Sequence, residues 1–184
     1  SRQGQGGEVT RGRRGAAGVA AAWLFHPGPA AILVVALAAM LPELVAGLAL
    51  SDSFVFNLSW TEQFRDAVRA GDPWPRWLPR AWDGAGSPAF YFYPPLFFWA
   101  AAALDALTLR LLPVHSLIAL TSAAFLAGSG LAMRAWLAEA AGRRAAIIAA
   151  VAYMAAPWHL FDIYRRGALA EATAYALVPL VAIG

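Results

Sequence analysis

Two short stretches of this chain hold the residue types that do chemistry. In Leu50-Ser51-Asp52-Ser53 a carboxylate stands directly after an apolar run. In Asp162-Ile163-Tyr164-Arg165-Arg166-Gly167-Ala168-Leu169-Ala170-Glu171 two acids flank a pair of arginines. A carboxylate at the edge of a low-dielectric layer has its pKa raised toward that of a general base, and it can otherwise hold a metal or a sugar. Adjacent arginines take a phosphate through forked hydrogen bonds, and a glycine such as Gly167 lets backbone approach a ligand closely. Glu171 enters an apolar helix, where ionisable groups are usually functional or paired. Each feature also has a plainer reading: Asp52 as a polar flank of a helix, and Arg165 with Arg166 as anchors that orient a membrane segment.

The elements that must position these groups are apolar helices. Of 184 residues 60% are hydrophobic and 14% charged, so the solvent for most of the chain is lipid. All fourteen basic residues are arginine, and they gather at the edges of apolar runs; orientation in a membrane accounts for them, and a nucleic-acid partner is excluded. With no Cys and three scattered His (His26, His115, His159), neither a disulfide framework nor a thiolate or histidine metal cluster is expected. The spacing predicts spans at about 30–50, 114–137, 145–161 and from 172 onward. Beginning without Met and stopping inside an apolar run, the chain reads as a fragment of a longer protein. Residues 1–29 read as a basic, disordered, cytoplasmic segment. Arg2, Arg11, Arg13 and Arg14 place that end inside, and the Arg13-Arg14 pair reads as part of a retained anchor, not a cleaved signal. Glu43 interrupts the first span and must be neutral, paired or facing a wet cavity.

Residues 51–113 are too long for a simple connection, and loops of this size usually carry function. Ser59-Trp60-Thr61-Glu62 fits a capping box, which predicts an interfacial helix over 59–70 with Trp60, Phe64 and Val68 on one face, ended by Gly71. After it come Trp74-Pro75-Arg76-Trp77-Leu78-Pro79-Arg80-Ala81-Trp82, then Asp83-Gly84-Ala85-Gly86-Ser87-Pro88, which reads as a turn, then Phe90-Tyr91-Phe92-Tyr93-Pro94-Pro95. Aromatics beside polar groups suit carbohydrate stacking and equally suit an interfacial belt. Arg76, Arg80, Trp60, Tyr91 and Tyr93 are the loop's candidate ligand contacts. Residues 96–112 form a short apolar run with Asp105 near its middle, where an acid costs about 2.5–3.5 kcal/mol to insert. A dip without a crossing is the preferred reading, because it places Asp162 and Glu171 on the same side as Asp52. The triplet Asn57-Leu58-Ser59 is a chance match to a glycosylation acceptor.

Taken in order, Asp52, Trp60 with Gln63-Phe64, Gly71-Asp72-Pro73-Trp74-Pro75-Arg76-Trp77, Gly84-Ala85-Gly86-Ser87-Pro88, Phe90 through Leu96, and the block from Asp162 to Glu171 resemble the C-type membrane glycosyltransferase superfamily. The closer resemblance is to large bacterial membrane proteins labelled as related to 6-pyruvoyl-tetrahydropterin synthase. It covers residues 30–184. It implies an all-α, polytopic transmembrane helical bundle in the bacterial inner membrane, with residues 51–113 extracytoplasmic. The implied activity is transfer of a sugar from a polyprenyl-phosphate donor to a cell-envelope glycan or protein acceptor, with membrane lipid as a further partner. Asp52 and Glu171 fall at the catalytic positions; Arg165, Arg166 and Asp162 join the loop residues as substrate-binding positions. Two departures stand out. Relatives often carry His where this chain has Asn57, and the second block lacks a closely spaced acid pair, so a divalent metal is the one cofactor left open and no metal ligand is assigned. A flippase or transporter of lipid-linked sugars, and a scaffold whose aromatic loop docks a partner, are the alternative expectations.

Overall fold

A computed structural model describes residues 27–183, so the predicted basic N-terminus lies almost wholly outside the described residues. Within them the chain is all-helical: α1 (Pro27–Ala46), α2 (Phe54–Arg69), a short α3 (Ala89–Phe92), α4 (Leu96–Leu107), α5 (Val114–Met154), a short α6 (Pro157–Phe161), a π-turn (Asp162–Arg166) and α7 (Leu169–Ile183). Pairing of extended backbone among the described residues is confined to one isolated bridge between Leu78 and Ser87.

α1 buries Ile32, Ala36, Met40 and Glu43, a stripe at helical spacing, while Val34, Leu37, Leu41 and Val45 stay exposed. Its buried face packs on α5. A Cβ on Gly28 would lie 3.1 Å from atoms of Arg134 and Ile147, and one on Gly130 would meet Ile32 at 2.9 Å. As α1 advances from 28 to 32, its α5 partner retreats from 134 to 130, so α1 and the first limb of α5 are antiparallel. The chain therefore leaves α1 and enters α5 at one and the same end of the bundle.

α5 is itself two limbs. Gly142 takes φ 78°, ψ 163°, a conformation suited to glycine, and the chain reverses there. Gly130 and Met154, each twelve residues from Gly142, touch. Two runs are long and apolar enough to cross a bilayer: Gly28–Ala46, and Val114–Arg166 with this reversal inside it; Leu96–Leu107 and Leu169–Ile183 are shorter. The second limb ends at Met154, before Pro157 starts α6, short of the expected continuous span to 161. α7 packs back along α5, and Tyr153 donates to the carbonyl of Tyr175 at 2.7 Å.

The loop region forms a second core around Phe64, Phe90, Phe97, Phe98 and Leu78. The predicted face of α2 is correct, with Phe64 fully buried and Trp60 and Val68 packed beside it. The predicted start is not. α2 begins at Phe54, and Ser59 sits inside it, its Oγ accepting from Gln63 Nε2 at 2.9 Å instead of capping. The early start follows from the turn at 51–53, where Phe54 N–H donates to Ser51 at 3.1 Å and the helix nucleates before any capping box is reached. α4 has 12 residues, about 18 Å of helix, well short of the ~30 Å bilayer core. Its Asp105 is buried and takes two hydrogen bonds from Arg69, at 2.7 and 2.9 Å, which resolves the cost of an acid in this apolar helix.

Removing one partner of that pair strands the other. Asp105→Ala is expected to destabilise the fold by ~3 kcal/mol, the low end for a buried pair because Arg69 keeps some solvent contact. Thermal unfolding in detergent checks this, and a double change to Arg69→Met with Asp105→Leu should recover most of the loss.

Candidate functional site

The site is assembled by backbone before side chains contribute. The helix of α1 ends at Gly47, and the chain turns through 51–53 against the π-turn. There the N–H of Asp52 donates to the carbonyl of Arg165 at 3.0 Å, and that of Ser53 to Arg166 at 3.2 Å. Asn57 Nδ2, from the first turn of α2, closes the junction on the carbonyl of Gly167 at 2.9 Å. Gly167 is left-handed (φ 65°, ψ 31°), and a Cβ there would run into Ser51 and lie 2.8 Å from Asn57 Nδ2. Glycine is required at this position twice over, by conformation and by the close approach.

On this frame stand the two sequence-predicted blocks. Arg165 Nη1 donates to Asp52 Oδ1 at 2.5 Å across a separation of 113 residues, with both side chains about 60% exposed. Arg166 is held differently. It gives Nη1 to Asp162 Oδ1 at 2.6 Å and to Glu171 Oε2 at 2.5 Å, gives Nη2 to Glu171 Oε1 at 2.8 Å, and lies 5.6 Å from the Trp158 ring centroid. Glu171, in the exposed first turn of α7, is held below the usual carboxylate range by its bonds to Arg166. Arg166 is raised further above its ordinary value by Glu171 first and Asp162 second. Asp162 is fully buried, and its Oδ2 has no hydrogen-bond partner in the protein.

The aromatic candidates divide. The Tyr93 hydroxyl accepts from Ala170 N–H at 3.3 Å, one residue before Glu171, and its ring stands 5.2 Å from Trp60. Burial pushes the Tyr93 phenol up. Trp60 is a packing residue at the edge of the second core, touching Phe56, Phe90 and Phe98. Arg76 and Tyr91 stack on each other at 5.2 Å, with Trp74 on Arg76 at 5.4 Å. Arg80 bonds Asp66 at 3.0 Å, approaches Glu62 at 3.7 Å, and donates its backbone N–H to the buried Gln63 at 2.7 Å, strapping the loop to α2. Arg76, Arg80 and Tyr91 find their partners within the loop and α2, apart from the Asp52 cluster. Two groups that do belong to it, Trp158 under Arg166 and Asn57 on Gly167, were not foreseen as site residues. Their signal was weak: one aromatic a helical distance before Arg166, and one amide five residues after Asp52.

Chemically the cluster opposes three carboxylates to two guanidinium groups. One arginine is clamped by three hydrogen bonds and the other is tied by a single exposed pair. Among the described residues, no group of three or more His, Asp or Glu converges as a metal site. No protein-family model, no curated protein and no solved structure matches this chain.

Gly167→Ala should be costly. The left-handed conformation alone disfavours a Cβ by about 1–2 kcal/mol, before the steric conflict with Ser51 and Asn57 is added. Trypsin digestion in detergent is the check: cleavage after Arg165 and Arg166 should quicken severalfold in the variant, and unchanged protection would show that the junction does not need this glycine.

Proposed function

We propose that the chain is the N-terminal part of a polytopic membrane glycosyltransferase that transfers a sugar from a polyprenyl-phosphate donor to a cell-envelope acceptor. The observation that carries this reading is the meeting of Asp52 with Arg165 at one end of the bundle. In this reading four apolar segments cross: α1, the first limb of α5, its second limb continued through α6 and the π-turn, and α7. The exposed stripe of Val34, Leu37, Leu41 and Val45 faces lipid. In this reading Arg143 and Arg144, at the Gly142 reversal, are cytoplasmic, and the end carrying Asp52 and Glu171 opens outside.

An exposed ion pair contributes only about 0–1 kcal/mol, so an arriving phosphodiester readily takes Arg165 from Asp52. The exchange does two things at once. It docks the donor phosphate on the guanidinium and frees the Asp52 carboxylate. That carboxylate then accepts the proton of the acceptor hydroxyl as its oxygen attacks the anomeric carbon. The bond from that carbon to the phosphate oxygen breaks, and the leaving phosphate carries its added charge on Arg165, with inversion at the carbon. Glu171 and Asp162 hold Arg166, which fixes the carbonyl facing Ser53 and keeps the second arginine beside the donor. Tyr93, bonded to the start of α7, sits where a sugar hydroxyl can reach its phenol.

A carrier of lipid-linked sugars is the second reading. It is favoured by Glu43 and His159, buried groups on α1 and α6 that each keep side-chain atoms with no partner in the protein; ionisable groups inside spanning helices often mark pathways through carriers. Product formation separates the two.

With the full-length protein in proteoliposomes and a radiolabelled polyprenyl-phosphate sugar, Asp52→Asn should lower transfer by about 10²–10⁴-fold, the usual contribution of a general base. Full activity in that variant would remove Asp52 from the role of base, and absence of transfer by the unaltered protein would end the transferase assignment. These 184 residues contain no Cys, so thiols introduced here report topology in a full-length background freed of any other Cys. Asp72→Cys and Ala141→Cys, probed with an impermeant maleimide on intact cells, should label only at position 72; labelling of both from outside refutes the threading.

A further inference from the structure

A groove of about 380 Å³ lies apart from the Asp52 cluster, between the first two turns of α2 and the loop 78–87. Its walls are aromatic, from Phe56, Trp60 and Trp82, and its polar groups are Ser59, Arg80, Asp83 and Ser87. The loop that forms its far wall is a closed clip. Leu78 and Ser87 exchange both backbone hydrogen bonds, at 2.9 and 3.0 Å, and Ala81 accepts from Gly84 and Gly86 at 3.2 and 2.9 Å. The Trp77 ring lies so close over Gly86 that a Cβ there would strike it. At the tip of this clip Trp82 and Asp83 are both left-handed, with φ 53° and 55°. A bulky aromatic rarely takes that conformation, and consecutive strained residues persist only where the surroundings impose them.

The strain has a visible consequence. It turns the Trp82 ring outward, 69% exposed, edge-on to Phe56 at 6.3 Å, with the Asp83 carboxylate beside it. We infer that this groove binds a neutral saccharide, the aromatic rings covering the C–H face of a sugar ring while Asp83 and the two serines take its hydroxyls. The volume suits one or two sugar rings, within the range of small-molecule sites. Charge selects the class. Arg80 stands between two carboxylates, Asp66 at 3.0 Å and Glu62 at 3.7 Å, so an anion reaching it must displace both and leave them uncovered alongside the Asp83 that also lines the groove, which disfavours uronic acids and phosphorylated sugars. The groove runs along α2 from Val55 to Trp60, beginning about one turn beyond Asp52, and in the transferase reading it holds the acceptor glycan.

The test uses the full-length protein in lipid nanodiscs and saturation-transfer NMR with maltose, lactose and gentiobiose as neutral probes and cellobiouronic acid as the charged one. The proposal expects transfer to the ring C–H protons of at least one neutral disaccharide and none to the uronic acid. Trp82→Ala, a change at an exposed ring, should weaken binding by about tenfold or more, and Asp83→Asn should weaken it likewise. Absence of signal from all three neutral sugars, or a signal unchanged in Trp82→Ala, overturns the site. So does loss of bromolipid quenching on Trp82→Ala, since that makes the ring a bilayer anchor. Asp52→Asn separates the two claims: it should abolish sugar transfer and leave disaccharide binding intact. Absence of transfer by the unaltered protein, with groove binding still sensitive to Trp82, would remove the transferase reading and leave the saccharide site standing.

Discussion

The junction between the turn after α1 and the π-turn before α7 is the constraint on which the rest of the arrangement depends. Two backbone hydrogen bonds and one from Asn57 join segments more than a hundred residues apart in sequence. They are made at a place where the main chain is irregular on both sides. Irregular backbone leaves donors and carbonyls without partners, and at the end of an apolar bundle each would carry the cost of an unmade hydrogen bond. Here the two irregular segments satisfy each other. The close approach that makes this work is set by Gly167, and it delivers Asp52 to Arg165 without either side chain having to find the other first.

That frame explains why the two arginines, adjacent in sequence, have different parts. Arg166 faces back along its own segment, where Asp162 is four residues behind and Glu171 five ahead, and its three hydrogen bonds leave it little freedom. Arg165 points the other way, across the junction, to a single exposed carboxylate. An arginine held by one weak, solvated pair is open to exchange of its partner, whereas one held by three bonds is not. With three carboxylates against two guanidinium groups, the cluster carries one acid in excess.

Much of this was legible in the sequence, and the remainder fails for a common reason. All-helical architecture follows from the apolar runs, and the inward face of α2 from the spacing of Trp60, Phe64 and Val68. The chain reversal at 142–144 follows from a glycine beside two arginines between apolar limbs. Each depends only on near neighbours. What escaped depends on distant ones. The partner of Asp105 is Arg69, on another helix. The start of α2 is set by the turn beside residues 165–166, which no local pattern around Ser59 can report. The left-handed Trp82 and Asp83 are held by the clip whose ends are Leu78 and Ser87, while the residue types at the tip give no hint of it. Asp52 and the later arginine block were grouped only through acid placement and a family resemblance; composition alone would have left them as unrelated flanks.

The loop region and the bundle are two cores with different chemistry, and their contact decides how the site can work. The bundle core is small and aliphatic, built from Ala, Ile, Leu and Met, which lets helix backbones approach. The loop core is aromatic, a run of edge-to-face rings from Trp60 through Phe64, Phe90 and Phe98. Such rings bring large contact area with few rotatable bonds, so a non-repetitive loop can be rigid without regular secondary structure. The hydroxyl of Tyr93 extends this aromatic core to the N–H of Ala170 at the mouth of the bundle. A rigid loop joined at that point cannot shift relative to Glu171 and Arg166 without breaking the bond. The groove along α2 and the Asp52 cluster are thus linked through the aromatic loop core and this bond.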